Sequence, residues 1–218
     1  MRNIVIVGAG GFALELYHYV LESDLVRWGE WQFKGFTALS NDSTIAEYGL
    51  SRYFLGSYET TEFAPEDSFL IGIGVPKIRR KIYEQFAALG RDLPNFVANG
   101  ARVNLAALAG GGRGNIFCPQ SGGYFAKIGA GNLFNLFSAV GHDATLGSFN
   151  VLSSFCDITG HCVVGDSNFF GSHAAMLPSS KIGNENKISA GSIVYKGCGD
   201  RVVLHGNPAR TFGAVEEA

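Results

Sequence analysis

From Ile128 to Val194 every sixth residue is bulky and apolar: Ile128, Phe134, Val140, Leu146, Leu152, Ile158, Val164, Phe170, Met176, Ile182, Ile188 and Val194. The residue two places before each is small: Ala126, Asn132, Ser138, Ala144, Asn150, Cys156, Cys162, Asn168, Ala174, Ser180, Asn186 and Ser192. A helix repeats near 3.6 residues and a half-buried strand near 2, so neither accounts for the pattern. A fixed period of six predicts a parallel β-helix of hexapeptide repeats, with three short strands to each triangular coil. The bulky residue fills the prism and the small one fits its corner. The regular stretch amounts to about four coils, which at ~4.8 Å per layer make a prism roughly 20 Å long.

The N-terminal pattern is different. Asn3 to Val7 is a β-branched run that reads as a buried parallel strand. Gly8-Ala9-Gly10-Gly11-Phe12 follows, then a helix over about Ala13–Ser23. Gln32–Ala38 and Asp67–Gly72 read as further strands, Ile78–Leu89 as a second helix and Leu93–Val97 as a short strand. Residues 1–98 are therefore expected to form a small Rossmann-like α/β domain, too short for a full dinucleotide-binding unit but able to hold one nucleotide. Residues 99–218 are assigned to the β-helix, with Val103 and Ile116 as early rungs interrupted by Gly110–Gly112. Cys198 shares the small inward phase of Cys156 and Cys162. His205-Gly206-Asn207-Pro208-Ala209-Arg210 is a turn signal that would close the prism.

Composition narrows the function classes. The chain has 218 residues, 46% of them hydrophobic, and a net charge of −2 with no basic block. That disfavours a nucleic-acid partner. No apolar run approaches the ~18 residues of a membrane span, and the strand pattern begins at once, which leaves no signal peptide. Four cysteines in no metal-binding spacing read as structural thiols in a reducing compartment, so a cytoplasmic location without a metal site is expected.

The glycine turn between strand and helix suits phosphate, because the helix start offers free N–H groups and a positive dipole end. It departs from the full GxGxxG fingerprint, and a turn that only packs helix on strand has the same local sequence. Ala38 stands where a nicotinamide-binding fold carries its ribose-gripping acid, with Asp42 further on, so nicotinamide is disfavoured. Gly74, Lys77 and Arg79 are candidates to face the same crevice as Gly8, Gly10, Gly11 and Phe12. A solvated surface is the competing reading for the two basic residues.

The period-six array, the terminal Gly206-Asn207-Pro208-Ala209-Arg210, the sequence Gly141-His142-Asp143-Ala144-Thr145-Leu146-Gly147 and the glycine turn together resemble the bacterial sugar acetyltransferases of sialic acid O-acetylation and of bacillosamine or perosamine synthesis. The resemblance covers nearly the whole chain. It implies a nucleotide-binding α/β domain followed by a left-handed β-helix, an exception to the usual crossover hand. It further implies a homotrimer with acetyl-coenzyme A in the grooves between prisms. His142 is then the general base and Asp143 the acid that orients it. An imidazole can take a proton near neutral pH, and an adjacent carboxylate can fix its tautomer. His142 lies two residues after the inward Val140 and should point outward, with Gly160 one coil later leaving room for a thioester. The candidate coenzyme contacts are Gly160, Pro178, Lys196, Asn207, Pro208 and Arg210. The chain carries Phe12 and Val151 where amino-sugar members often carry histidine, which leaves the acceptor open.

The expected activity is N-acetylation of a nucleotide-linked amino sugar for a surface glycan, by direct transfer. The alternatives are O-acetylation of a free sugar acid such as sialic acid, and a non-enzymatic scaffold with a nucleotide-sensing domain. His161 stacks one coil above Asp143 and is either its second partner or a turn cap. His173 and His18 read as structural, while His205 precedes the closing turn and could approach the coenzyme.

Overall fold

The computed structural model describes residues 1–40, 43–104, 108 and 112–215; Asp42, Gly110 and Gly111 lie outside them. The N-terminal part is β1 (Arg2–Val7), α1 (Gly11–Glu22), α2 (Asp24–Arg27), β2 (Trp31–Thr37), α3 (Ser43–Glu47), β3 (Asp67–Ile71) and α4 (Pro76–Ala88). The strands form a parallel sheet in the order β2-β1-β3. Alternate residues of β1 face opposite layers: Ile4 and Ile6 pack with Leu16 and Val20 of α1, while Val5 and Val7 pack with Ile82 and Phe86 of α4. This three-layer arrangement follows from a strand that is apolar on both faces.

The rest of the chain is a parallel β-solenoid of two-residue strands on three faces. The first face, called the docking face below, stacks Phe96–Val97, Ile116–Phe117, Leu133–Phe134, Val151–Leu152, Phe169–Phe170, Lys187–Ile188 and Val202–Gly206. The second runs from Arg102–Val103 to Ile193–Val194 and the third from Lys127–Ile128 to Gly197–Cys198. Successive coils pair eighteen residues apart, as Ala139 with Asp157 and Asp157 with Ala175. Every bulky residue of the period-six array is buried in the prism core. A second periodicity accompanies it. Phe137, Asp143, Phe149, Phe155, His161, Ser167, His173, Ser179 and Glu185, six apart, all have φ between 57° and 65°. Each corner thus carries its left-handed bend on the residue just before the small one.

The ends of the prism depart from the sequence pattern. Phe96–Val97 belongs to the docking face and not to the N-terminal sheet, and Phe117 rather than Ile116 fills the core. Ile116, Leu133 and Val151 point outward instead and are covered by the N-terminal domain. Cys198 pairs with Ile182, so it takes the bulky position and not the small one. The last coil is short: Asn186 meets Val202 sixteen residues on, where Asn168 meets Asn186 at eighteen.

At one corner the small position is an asparagine ladder. Asn132, Asn150 and Asn168 each accept the next rung's backbone N–H and donate their amide to a glycine carbonyl fifteen residues on. Buried polar groups have to be paired, and the ladder pairs its members with one another.

Arg79 is not at the glycine crevice. It is fully buried, and its guanidinium donates to Ile71 O (2.6 Å) at the end of β3, to Ile73 O (3.0 Å) just beyond it and to Gly131 O (2.5 Å) on the prism. Gly114 O and Asn132 O lie at 3.4 Å. Burial pushes its pKa below the ordinary guanidinium value, with Cys118 acting weakly in the opposite sense. The planar fork of donors is used to clamp the two domains together.

Candidate functional site

The chain visits docking, second and third faces in turn. His142 and Asp143 stand at the corner where the second passes to the third, between the buried Val140 and Ala144. The left-handed φ of 61° at Asp143 turns the chain there and leaves both side chains exposed. His142 Nδ1 lies 2.7 Å from Asp143 Oδ2. The carboxylate can only accept, so Nδ1 carries the proton and Nε2 presents a lone pair. The hydrogen bond from His142 holds the Asp143 carboxyl below the usual carboxylate range, with the charge of His161 acting in the same sense.

Gly160 lies against the imidazole. A Cβ there would stand 3.0 Å from Cε1 and 3.1 Å from Nε2 of His142. Only a residue without a side chain leaves Nε2 clear. His161 turns its ring edge to His142, with centroids 5.3 Å apart, and its Nε2 is 4.0 Å from Asp143 Oδ2. That is beyond a hydrogen bond. His142, Asp143 and His161 offer ligand atoms all within 4.8 Å of one another. His173 is on another corner, stacked on Phe155 at 4.8 Å.

The corner continues upward through backbone hydrogen bonds, in which Asp143 N–H donates to Phe125 O, His161 N–H to His142 O and Ser179 N–H to Gly160 O. His142, Gly160, Pro178 and Lys196 stand at successive coils of this corner, so three of the expected coenzyme residues share one track with the histidine. At its upper end Lys196, Pro208 and Arg210 line a pocket of about 410 Å³ with Tyr195 and Leu204. Asn207, joined to Pro208 by a cis peptide, is in the closing turn beside that pocket and not among its lining residues. His205 pairs with Arg210 across the terminal hairpin.

Gly8, Gly10, Gly11 and Phe12 line a separate cleft of about 370 Å³ with Ala38, Tyr58 and Gly74. Gly8 has φ 126°, and a Cβ on it would meet Gly72 O at 2.8 Å. Gly10 caps α1 without a side-chain hydrogen bond, so the first N–H groups of the helix are available. Lys77 is not in this cleft: it lines a different groove, between α4 and the prism. Tyr58 was not flagged by the sequence, because nothing in its local pattern separates it from an ordinary loop tyrosine.

The thiols supply no nucleophile at the corner. Cys118, Cys156 and Cys162 are buried, and burial pushes Cys118 and Cys156 up to about 12. No described helix is long and apolar enough to cross a membrane.

Comparison with known proteins bears on both domains. The acetyltransferase domain of PglB from Neisseria gonorrhoeae FA1090, solved in complex with acetyl coenzyme A, superposes with a TM-score of 0.81 at 21% identity, over 97% of this chain and 99% of that one. PerB from Caulobacter crescentus, solved with CoA and GDP-perosamine, gives 0.79 at 22% identity over 98% of each chain. WeeI from Acinetobacter baumannii AYE gives 0.72 at 21%, over 97% of this chain and 100% of that one. Residues 3–86 match the family model described as the PglD N-terminal domain, so the chain joins a domain similar to that family to a β-solenoid, in the same two-domain fold as these proteins.

Proposed function

We propose that the protein is an acetyl-CoA-dependent sugar acetyltransferase that N-acetylates a nucleotide-linked amino sugar, with His142 as general base. The observation that carries the proposal is the His142–Asp143 pair on an exposed corner, its Nε2 left clear by Gly160. An amine attacks the thioester carbonyl, and an N–C bond forms as the C–S bond breaks. Nε2 takes the amine proton, Asp143 stabilises the resulting imidazolium, and the proton passes to the departing thiolate. Acetyl-CoA would lie along the corner, with its phosphates near Lys196 and Arg210. Three layers at ~4.8 Å separate His142 from Lys196, about 14 Å, a span suited to an extended pantetheine arm. The matched structures bound to acetyl coenzyme A, and to CoA with GDP-perosamine, support this ligand class.

The acceptor's nucleotide would sit in the glycine-turn cleft, with phosphate at the start of α1. In a triangular prism the corner between the second and third faces is opposite the docking face, which carries the N-terminal domain. The cleft belongs to the domain on the docking face and His142 to the opposite corner, which favours a complete site built from the cleft of one copy and the histidine of the next. A trimer of parallel prisms would provide that arrangement.

The test is release of free CoA from acetyl-CoA with a panel of nucleotide-linked amino sugars and free sialic acid. His142→Ala is expected to lower turnover by about 100-fold or more while acetyl-CoA binding survives. Undiminished turnover in that variant would overturn the assignment. Transfer to sialic acid in place of the amino sugars would replace the acceptor.

A further inference from the structure

We infer that the groove between α4 and the prism is a binding site for a phosphoryl-bearing ligand, separate from the glycine-turn cleft. The groove has a volume of about 600 Å³ and meets the cleft only at Gly74.

Its first wall is the start of α4, a thirteen-residue helix. Val75 at the N-cap makes no side-chain hydrogen bond, and the first turn holds no acidic residue. It carries Lys77, which lines the groove; Arg79 is turned into the domain interface, and Arg80, one turn on, also lines the groove but is paired with Glu84 at 2.8 Å. A helix N-terminus with basic side chains beside it and no acidic residue in its first turn favours an anionic ligand.

The opposite wall supplies an independent observation. Two buried side-chain atoms among the described residues have no hydrogen-bond partner, Ser167 Oγ and Asn186 Nδ2. Both residues line this groove, at 8% and 2% exposure. For Asn186 the cause is visible in the fold. Each lower rung of the asparagine ladder donates to a glycine carbonyl fifteen residues on. The shortened last coil brings no such carbonyl to the top rung, so its amide is left over. Both groups can donate, and a phosphoryl oxygen is the matching acceptor. Lys187 and Arg201 complete the positive lining, against Glu185, and Phe169 gives the groove an apolar floor. Neither orphan atom is open to solvent, so the ligand must part the surrounding side chains. Lys187 and Arg201 are long and exposed and can move by changing rotamer.

The proposal is tested on the full chain by titration calorimetry with inorganic phosphate, pyrophosphate and a nucleoside diphosphate. The wild type is compared with Lys187→Glu, Ser167→Ala and the cleft variant Gly11→Asp, all checked for an unchanged circular dichroism spectrum. In the Gly11→Asp background, where the cleft's own phosphate site is blocked, pyrophosphate is expected still to bind, and its affinity to fall about tenfold or more when Lys187→Glu is added and more modestly with Ser167→Ala. A nucleoside diphosphate that binds tighter than pyrophosphate, in a Lys187-dependent way, would show that the Phe169 floor takes an organic body. Equal affinities would limit the site to the phosphoryl groups, and both results support it. Absence of pyrophosphate binding by the wild type would overturn the proposal. So would binding that is lost in Gly11→Asp but kept in Lys187→Glu, because the anion would then be in the acceptor cleft.

Discussion

Gly160→Ala isolates the geometry of the site from its chemistry, since it alters no reacting group. Gly160 is not at a positive φ, so the backbone accepts alanine. The new methyl would meet His142 Cε1 at 3.0 Å and Nε2 at 3.1 Å, and the imidazole must retreat by a few tenths of an ångström. The ring is 65% exposed and can retreat by side-chain rotation, at the expense of the 2.7 Å bond to Asp143. A misplacement of ~1 Å at a reacting group costs about 100-fold, so a smaller shift should cost about 10-fold. The methyl also occupies space that the thioester carbonyl needs, which extends the expected loss in kcat to about 10- to 100-fold. Thermal stability should change by less than ~1 kcal/mol, because alanine only restricts the unfolded chain slightly more. The assay is free-thiol release, with kcat and the KM for acetyl-CoA measured separately, beside a melting curve. A kcat within twofold of wild type, in a protein whose His142→Ala variant is inactive, would refute the reasoning. The thioester would then not approach over Gly160.

Three further outcomes follow from the fold. Arg79→Met removes the donors of three carbonyl contacts at 3.0 Å or less, and at ~1 kcal/mol each should destabilise the protein by about 3 kcal/mol in urea titration. A shift under ~1 kcal/mol would show that the clamp is not needed. Burial pushes the Asp67 carboxyl up, but hydrogen bonds from Lys34, Asn3 and the Ala64 N–H outweigh it, and the net pKa is below the ordinary value. Its contribution is therefore complete above the unfolded value near pH ~3.9 and is lost as pH falls through the lower folded value. Asp67→Asn should cost about 2 kcal/mol at pH 7, with the difference shrinking in acid; a constant difference down to pH 2 would contradict the linkage. Finally, co-expressed His142→Ala and Gly11→Asp chains should recover about a quarter of wild-type activity, since a quarter of randomly mixed interfaces carry both intact halves. No recovery in mixed oligomers verified by mass would place both halves in one chain.

Much of this was legible in the residues. The period-six array marked the core of the prism because each coil repeats the same contacts, so one local rule is written again in each turn. The same register put His142 outward and Gly160 beside it. It failed where the repeat fails: Ile116 and Cys198 were put in the wrong phase because the first and last coils are not eighteen residues long. The asparagines spaced by eighteen were visible as small residues, but their ladder was not, since hydrogen bonding between coils leaves no mark in local composition beyond the spacing itself.

Sequence alone determined the two-domain order, the buried faces of the strands and the inward and outward positions of the prism. All of these depend on neighbours in the chain or on a fixed period. Tertiary structure decided the role of Arg79, which the basic run Lys77–Arg80 made look like a ligand contact. It also separated Lys77 from the glycine turn and put the N-terminal domain on the face opposite His142. Those facts depend on where two independently patterned domains meet, and a guanidinium in a first helical turn reads the same whether it faces solvent or five carbonyl oxygens, three of them on another domain.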